Sequence, residues 1–262
     1  MQPPEPDRSP GPFDLRGRLA LVTGVRRGIG LAIAEALASA GADIIGVSQQ
    51  LEPDGGEAGR RVAALGRQFQ PLTADLGDRE AVRELLRTLE EIERPIDILV
   101  GNAGTIYREP AVDHALDQWD RVLDVNLTSQ FLLAQALGAK MVARGNGKVI
   151  FTASMLSFQG GINVASYTAS KHGIAGVTKA LANEWAPSGV NVNAIAPGYI
   201  ATDNTQALRD DPDRSQAILA RIPAGRWGSP EDIGWTAVFL ASRASDYVNG
   251  TVVAVDGGWL GR

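Results

Sequence analysis

Leu19-Ala20-Leu21-Val22-Thr23-Gly24-Val25-Arg26-Arg27-Gly28-Ile29-Gly30 is the stretch that decides the fold. Its first four residues form a short apolar run, as in strands buried on both faces of a parallel sheet. Apolar residues then recur at helical spacing (Leu31, Ile33, Leu37) until Gly41 supplies a stop. A strand therefore enters a helix through a TGxxxGxG turn. Glycines let the backbone turn tightly and come close to a phosphate, and the helix start offers free N–H groups and a positive dipole end. The same glycines would serve a turn that merely packs helix on strand. Their place after the first strand of a βαβ unit favours the phosphate.

The pattern repeats outward. Strands are expected at 44–47, 69–73, 96–100, 148–152, 190–195 and 252–255. Helices are expected at 29–40, 56–65, 78–93, 116–144, 167–185 and 231–241, with 197–230 irregular or short-helical. Strands alternating with helices specify a single-domain, doubly wound α/β parallel sheet with helices on both faces and right-handed crossovers, spanning about 13–262. Ligands of such sheets bind outside the carboxyl ends of the strands, where the strand order reverses. Residues 1–12 hold five prolines with Glu5 and Asp7, and read as a solvated, disordered tail.

Composition removes several chemistries. The chain of 262 residues has no cysteine, which excludes disulfides, zinc–thiolate and iron–sulfur sites and a thiol nucleophile. Two histidines make a histidine-rich metal site an unfavourable reading, so no metal is expected. A net charge of −5 speaks against a nucleic-acid footprint, which needs a basic face. No uncharged apolar run reaches the ~18 residues of a membrane span, and the start lacks a secretory h-region. A cytoplasmic protein without membrane partners is the expectation.

Tyr167-Thr168-Ala169-Ser170-Lys171 places a phenol and an ammonium one helical turn apart, on one face. A tyrosine with a pKa near ~10 is a poor base at neutral pH, and a nearby cation favours its phenolate. The bland reading is an amphipathic surface pair. Ser154 ends a strand, where a hydroxyl can hold a carbonyl oxygen at the sheet's carboxyl edge. Asn102-Ala103-Gly104 follows another strand. Asn126 interrupts a helical run and can leave an opened backbone turn.

In this order the pieces resemble the short-chain dehydrogenase/reductase family, from about Asp14 to the end. Thr23, Gly24, Arg27, Gly28, Ile29 and Gly30 resemble its cofactor loop. Gly101-Asn102-Ala103-Gly104 is similar to its NNAG segment, with Gly for the first Asn. The resemblance makes Asn126, Ser154, Tyr167 and Lys171 a catalytic tetrad. Tyr167 would be the acid/base, and Lys171 would lower its pKa and bond the nicotinamide ribose. Ser154 would hold the substrate oxygen, and Asn126 a relay water. Asp75-Leu76 resembles the adenine-contacting pair, and Pro197-Gly198, with Ile200 and Thr202 beyond, the nicotinamide and substrate loop within a lid at about 197–230. The resemblance also implies a homotetramer built on the helices at 116–144 and 167–185.

Longer stretches, 153–162, 191–206, 221–228 and 246–260, resemble the branch acting on sugar acids of the 2-dehydro-3-deoxy-D-gluconate or 2-deoxy-gluconate type. Gluconate oxidation at carbon 5 and reduction of 3-oxoacyl carriers are rival readings, and a non-catalytic cofactor-binding regulator is the reading from another class. A sugar acid needs a cation for its carboxylate. Arg108 is the first candidate, with Ser154 and Gln159 beside it, and Arg209, Arg214, Arg221 and Arg226 lie in or near the lid. The cofactor reads as NAD(P)(H). The branch points to NAD, but Gly46-Val47-Ser48-Gln49-Gln50 lacks the acid that reads a ribose 2′-OH, and Arg27 suits a 2′-phosphate. The local chemistry leans to NADP.

Overall fold

In the computed structural model, which describes residues 11–262, the apolar runs become seven parallel strands. They are β1 (Leu19–Thr23), β2 (Asp43–Ser48), β3 (Phe69–Thr73), β4 (Ile98–Gly101), β5 (Gly147–Thr152), β6 (Val190–Pro197) and β7 (Val252–Val255). Their order is β3-β2-β1-β4-β5-β6-β7, every pair parallel. The chain builds outward from β1 in one direction, then returns to place β4 on its other side. The crevice above the carboxyl ends of β1 and β4 is the ligand position of such a sheet.

Helices α1 (Gly28–Ser39), α2 (Gly56–Ala64), α3 (Arg79–Glu90), α4 (Leu116–Leu123), α5 (Ser129–Arg144) and α6 (Ala165–Trp185) connect the strands. After β6 come α7 (Gln206–Asp210), α8 (Pro212–Arg221) and α9 (Pro230–Ala241). Successive strand side chains point to opposite faces. Leu19, Leu21, Ile45, Leu99 and Val149 thus pack with α3, α5 and α6 through Leu85, Leu133 and Ile174. Ala20, Val22, Ile44, Ile98 and Ile150 pack with α1 and α9 through Ile33, Leu37 and Ile233. Each fully buried Leu, Ile or Val contributes about 1.5–3 kcal/mol, so both faces need covering.

The structure departs from the sequence expectations in a few places. The helix expected at 116–144 is broken by a π-helical turn, Asp124–Thr128. The carbonyl of Val125 accepts from Ser129 Oγ at 2.8 Å and from Gln130 Nε2 at 3.0 Å, so side chains complete the opened turn. Strand β4 begins at Ile98 rather than 96. Within 197–230, Pro212 occupies the first turn of α8 and Asp211 caps it, accepting from the Arg214 amide at 3.1 Å. Of the tail expected at 1–12, residues 1–10 lie outside the described residues, and the Pro12 carbonyl accepts from the Ala244 amide at 3.2 Å.

Candidate active site

The β1–α1 turn forms one end of a cleft of about 1020 Å³ that crosses the carboxyl edge of the sheet. Gly24, Arg27, Gly28, Ile29 and Gly30 all line it. No side chain caps α1, so its first amides remain available to a ligand. Gly24 and Gly28 have φ of +74° and +58°. A Cβ on Gly30 would lie 2.0 Å from the Gly24 carbonyl oxygen and 2.5 Å from Asn102 Nδ2, so only glycine permits this turn. Turn, helix end and cleft size fit a dinucleotide's phosphates.

Thr23 is fully buried and points away from the cleft. Its hydroxyl accepts from the amides of Asn102 and Ala103, both at 2.9 Å, while Asn102 Nδ2 donates to the Thr23 carbonyl at 2.9 Å. It clasps the ends of β1 and β4 together, which sets the crevice's width. Asn102, Ala103 and Gly104 then form its wall. Pro197 and Ile200 also stand behind the wall. Pro197 pairs in register with Val255 and Ile200 belongs to the core, whereas Gly198 and Thr202 line the cleft.

The end of the cleft beyond β2 and β3 holds Ser48, Gln49, Gln50, Asp75 and Leu76. Gln49 Nε2 donates to Asp75 at 2.9 Å, and Arg121 pairs with Asp75 at 2.9 Å. Burial alone would raise the Asp75 carboxyl, but Arg121 and the Gly77 amide hold it below its ordinary value. No local pattern points to Arg121, which comes from α4, 46 positions away. Glu52 does not line the cleft and faces Arg26 at 4.0 Å. Arg27 pairs with Asp203 at 3.0 Å, both well exposed, joining the β1–α1 turn to the segment after β6.

Tyr167 is the third residue of α6, and Lys171 follows one turn later. Lys171 Nζ lies 5.6 Å from the Tyr167 ring centroid and donates to the Thr152 carbonyl at 2.6 Å. Burial lowers this ammonium to about 8, so it is charged at neutral pH and sensitive to its surroundings. Burial pushes the Tyr167 phenol up, and the Ser154 hydroxyl and the Arg108 charge draw it part of the way back. Ser154 sits at the start of a short turn after β5, where its Oγ accepts from the Leu156 amide at 3.1 Å. Ser157 Oγ accepts from the Ser154 amide at 3.3 Å and donates to the Lys171 carbonyl at 2.7 Å. It thereby ties the Ser154 turn to the helix carrying the pair.

Asn126 is buried behind this wall rather than on it. Its carboxamide accepts from the Thr105 amide at 2.8 Å and donates to the Thr105 carbonyl at 2.9 Å and to Ser170 Oγ at 3.0 Å. It fixes the segment after Gly104 against the helix of Tyr167. Gln130, buried in an otherwise apolar helix face, also donates to the Ala103 carbonyl at 3.3 Å. A glutamine among Leu and Ala at core spacing is the feature of the sequence that marks this contact.

The arginines separate by partner. Arg226 is bound to Asp232 at 2.7 and 2.9 Å, and Arg209 donates to the Thr202 carbonyl at 3.3 Å and to Gln206. Arg108, Arg214 and Arg221 line the cleft, and none of them pairs with a carboxylate among the described residues. Gln159 lines it as well. Among the described residues no group of three His, Asp or Glu side chains could hold a metal, and no helix is long and apolar enough to cross a membrane.

A family model described as enoyl-(acyl carrier protein) reductase matches residues 24–260. A 2-dehydro-3-deoxy-D-gluconate 5-dehydrogenase of Pseudoalteromonas atlantica is 58% identical over 250 residues, covering 95% of this chain and 98% of its own. A solved chain from Beutenbergia cavernae, described as a candidate NAD(P)-dependent gluconate 5-dehydrogenase and holding NADP at low occupancy, is 50% identical, with a TM-score of 0.92 over 96% of this chain and 100% of its own. A gluconate 5-dehydrogenase from Burkholderia cenocepacia, solved with NADP and tartrate, is 39% identical, with a TM-score of 0.90 over 96% and 98% of the two chains.

Proposed function

The chain belongs to the short-chain dehydrogenase/reductase family, and from that premise we propose a nicotinamide-dependent dehydrogenase of sugar acids. The substrate would be the secondary alcohol or ketone of a 2-dehydro-3-deoxy-D-gluconate or 2-deoxy-gluconate type acid. One observation carries the reading. Tyr167, Lys171 and Ser154 meet in a cleft whose wall also holds three arginines without carboxylate partners among the described residues.

Gly24, Arg27, Gly28, Ile29 and Gly30 would hold the cofactor's phosphates, Asp75 and Leu76 its adenine, and Asn102, Ala103, Gly104, Gly198 and Thr202 its nicotinamide half. The bound nicotinamide supplies the hydride donor or acceptor, and the protein's task is orientation and proton management. Tyr167 takes the proton from the substrate hydroxyl during oxidation and returns it during reduction. Burial holds this phenol above its ordinary value, so its phenolate needs nearby positive charge before it can act as a base near neutral pH. The Lys171 ammonium and the Arg108 guanidinium provide positive charge for that purpose, and the Ser154 hydroxyl holds the substrate oxygen. Asn126 contributes by fixing the Thr105 segment, with Oδ1 as the atom able to accept from a relay water. Ser154, Gln159 and Arg108 form the substrate wall under a lid at 197–230. A cytoplasmic homotetramer completes the proposal, which sedimentation as one species of four chains would support and a monomer would oppose.

The test is a panel of sugar acids and acyl thioesters with both nicotinamides, followed by absorbance. Turnover of 2-dehydro-3-deoxy-D-gluconate or gluconate is expected; activity confined to thioesters, or none, overturns the reading.

NADP is the preferred cofactor in this proposal. The end of β2 offers Ser48, Gln49 and Gln50 rather than an acid, and among the described residues Arg27 is held by an exposed pair with Asp203, which is worth little. Arg27 can therefore exchange Asp203 for a phosphate at small cost. Arg27→Ala should lower kcat/KM for NADP by about 10- to 100-fold, the value of a charge-assisted bond, and for NAD by less than about threefold. An equal loss with both cofactors would show that Arg27 does not read the 2′-phosphate.

A further inference from the structure

We propose that Arg221, laid against the indole of Trp259, is the group that recognises the substrate's acid function and so sets selectivity for acids over uncharged polyols. The proposal deepens the sugar-acid reading and rests on it. Arg221 is the last residue of α8 and lines the cleft. Its guanidinium carbon lies 3.9 Å from the Trp259 ring centroid. Stacking uses the flat face of a guanidinium and leaves its N–H edge free. That edge meets no carboxylate among the described residues, in a chain carrying five more acids than bases by formal charge. Arg226, five positions on, is spent on Asp232 at 2.7 Å.

The platform is rigid. Trp259 is only 5% exposed and packs with Met155, Ile218 and Ile222. Its Nε1 donates to Gln159 Oε1 at 3.4 Å, and Tyr199 meets it edge-on at 4.9 Å. The turn carrying it is pinned by Asp256, which accepts from the amides of Gly258 at 2.8 Å and Leu260 at 2.9 Å. Residues from the β5–α6 loop, the end of β6 and the last turn of the chain thus hold one indole flat beneath one lid arginine. A carboxylate entering the cleft can take two N–H bonds from that edge. Doing so would hold α8 in place over the substrate. Arg108 has a different position, since its charge reaches the Tyr167 phenol and marks the reacting end of the cleft.

Steady-state kinetics of the NADP-loaded enzyme on 2-dehydro-3-deoxy-D-gluconate, gluconate and uncharged sorbitol test this, with calorimetric binding of both acids to the cofactor-saturated protein. Arg221→Ala should raise KM and the dissociation constant for the acids by about 10- to 100-fold, the loss of a charge-assisted pair. It should leave kcat within about threefold and any sorbitol activity unchanged, as for a group that binds ground and transition states alike. Trp259→Leu should reproduce part of the rise and Trp259→Phe much less, because Phe keeps an aromatic face. Arg108→Ala should instead move the pH profile of kcat. Wild-type turnover with an unchanged acid KM in Arg221→Ala overturns this proposal and leaves the sugar-acid reading standing. Acid binding that depends on Arg221 without turnover does the reverse. A fall in kcat at constant KM, or an equal KM rise for sorbitol, assigns Arg221 to lid structure and also overturns it.

Discussion

Tyr167→Phe is expected to lower kcat by about 10³-fold while leaving NADP affinity and the melting temperature nearly unchanged. The substitution deletes one hydroxyl and keeps the ring, so the contact with Lys171 Nζ at 5.6 Å and the packing of α6 survive. The proton acceptor for the substrate hydroxyl is lost. None of the neighbours replaces it. Ser154 Oγ is engaged with the Leu156 amide and has no base positioned to activate it among its bonded partners. Lys171 is committed to the Thr152 carbonyl at 2.6 Å, and Asn126 has both amide hydrogens bonded to protein. Arg108 is a cation and accepts nothing. Single-turnover absorbance, with enzyme in excess over NADP and the sugar acid saturating, measures the chemical step directly. Retention of more than about a tenth of the wild-type rate would mean that another group carries the proton, because general acid–base catalysis is worth 10²-fold or more.

The sheet was readable because its strands are short apolar runs separated by helical periods, and a parallel sheet covered on both faces demands both patterns at once. The candidate site was readable wherever a residue type is unusual for its local context. Glycines in the β1–α1 turn, a phenol and an ammonium one turn apart, and an asparagine inside a helix stand out in this way, although the first two also fit plain structural roles. What the sequence left hidden is orientation. Thr23 adjoins the glycines yet turns inward to clasp Asn102 and Ala103, and Ile200 lies among lid residues yet belongs to the core. Arginines were the hardest class. Arg108, Arg209, Arg214, Arg221 and Arg226 are alike in sequence, and only tertiary contacts divide those bound to the protein from those facing the cleft. Pairs such as Arg121 with Asp75 and Arg27 with Asp203 join positions 46 and 176 apart, beyond any local pattern.

Gly30→Ala is expected to lower NADP affinity by about 100-fold or more, the scale that a ~1 Å misplacement of a preorganised site produces. Backbone dihedral freedom is not the reason, since Gly30 is not among the positive-φ glycines. Space is the reason. The added methyl would lie 2.0 Å from the Gly24 carbonyl oxygen, against backbone that has no rotamer to escape into. Relief requires the turn to move outward or α1 to recede from β1. The outward route pushes the phosphate floor into the cleft; the other opens the packing of Ile33 and Leu37 on the sheet. It also strains Asn102, whose Nδ2 would be 2.5 Å from the methyl while donating to the Thr23 carbonyl at 2.9 Å. Overpacking of this kind costs about 3 kcal/mol, which in a chain of this size lowers the melting temperature by roughly 6–12 °C. Gly28→Ala separates the two requirements. Gly28 has φ of +58° but its methyl would meet Thr202 Cγ2 at 3.5 Å and Cβ at 3.8 Å, ordinary contacts, so its cost is backbone strain of roughly 1–2 kcal/mol without a clash. Fluorescence titration with NADP and thermal melts on both variants should therefore rank Gly30→Ala as the more damaged protein. The reverse order, or wild-type NADP affinity in Gly30→Ala, would show that the turn has room to yield and that contact distance does not govern this cradle.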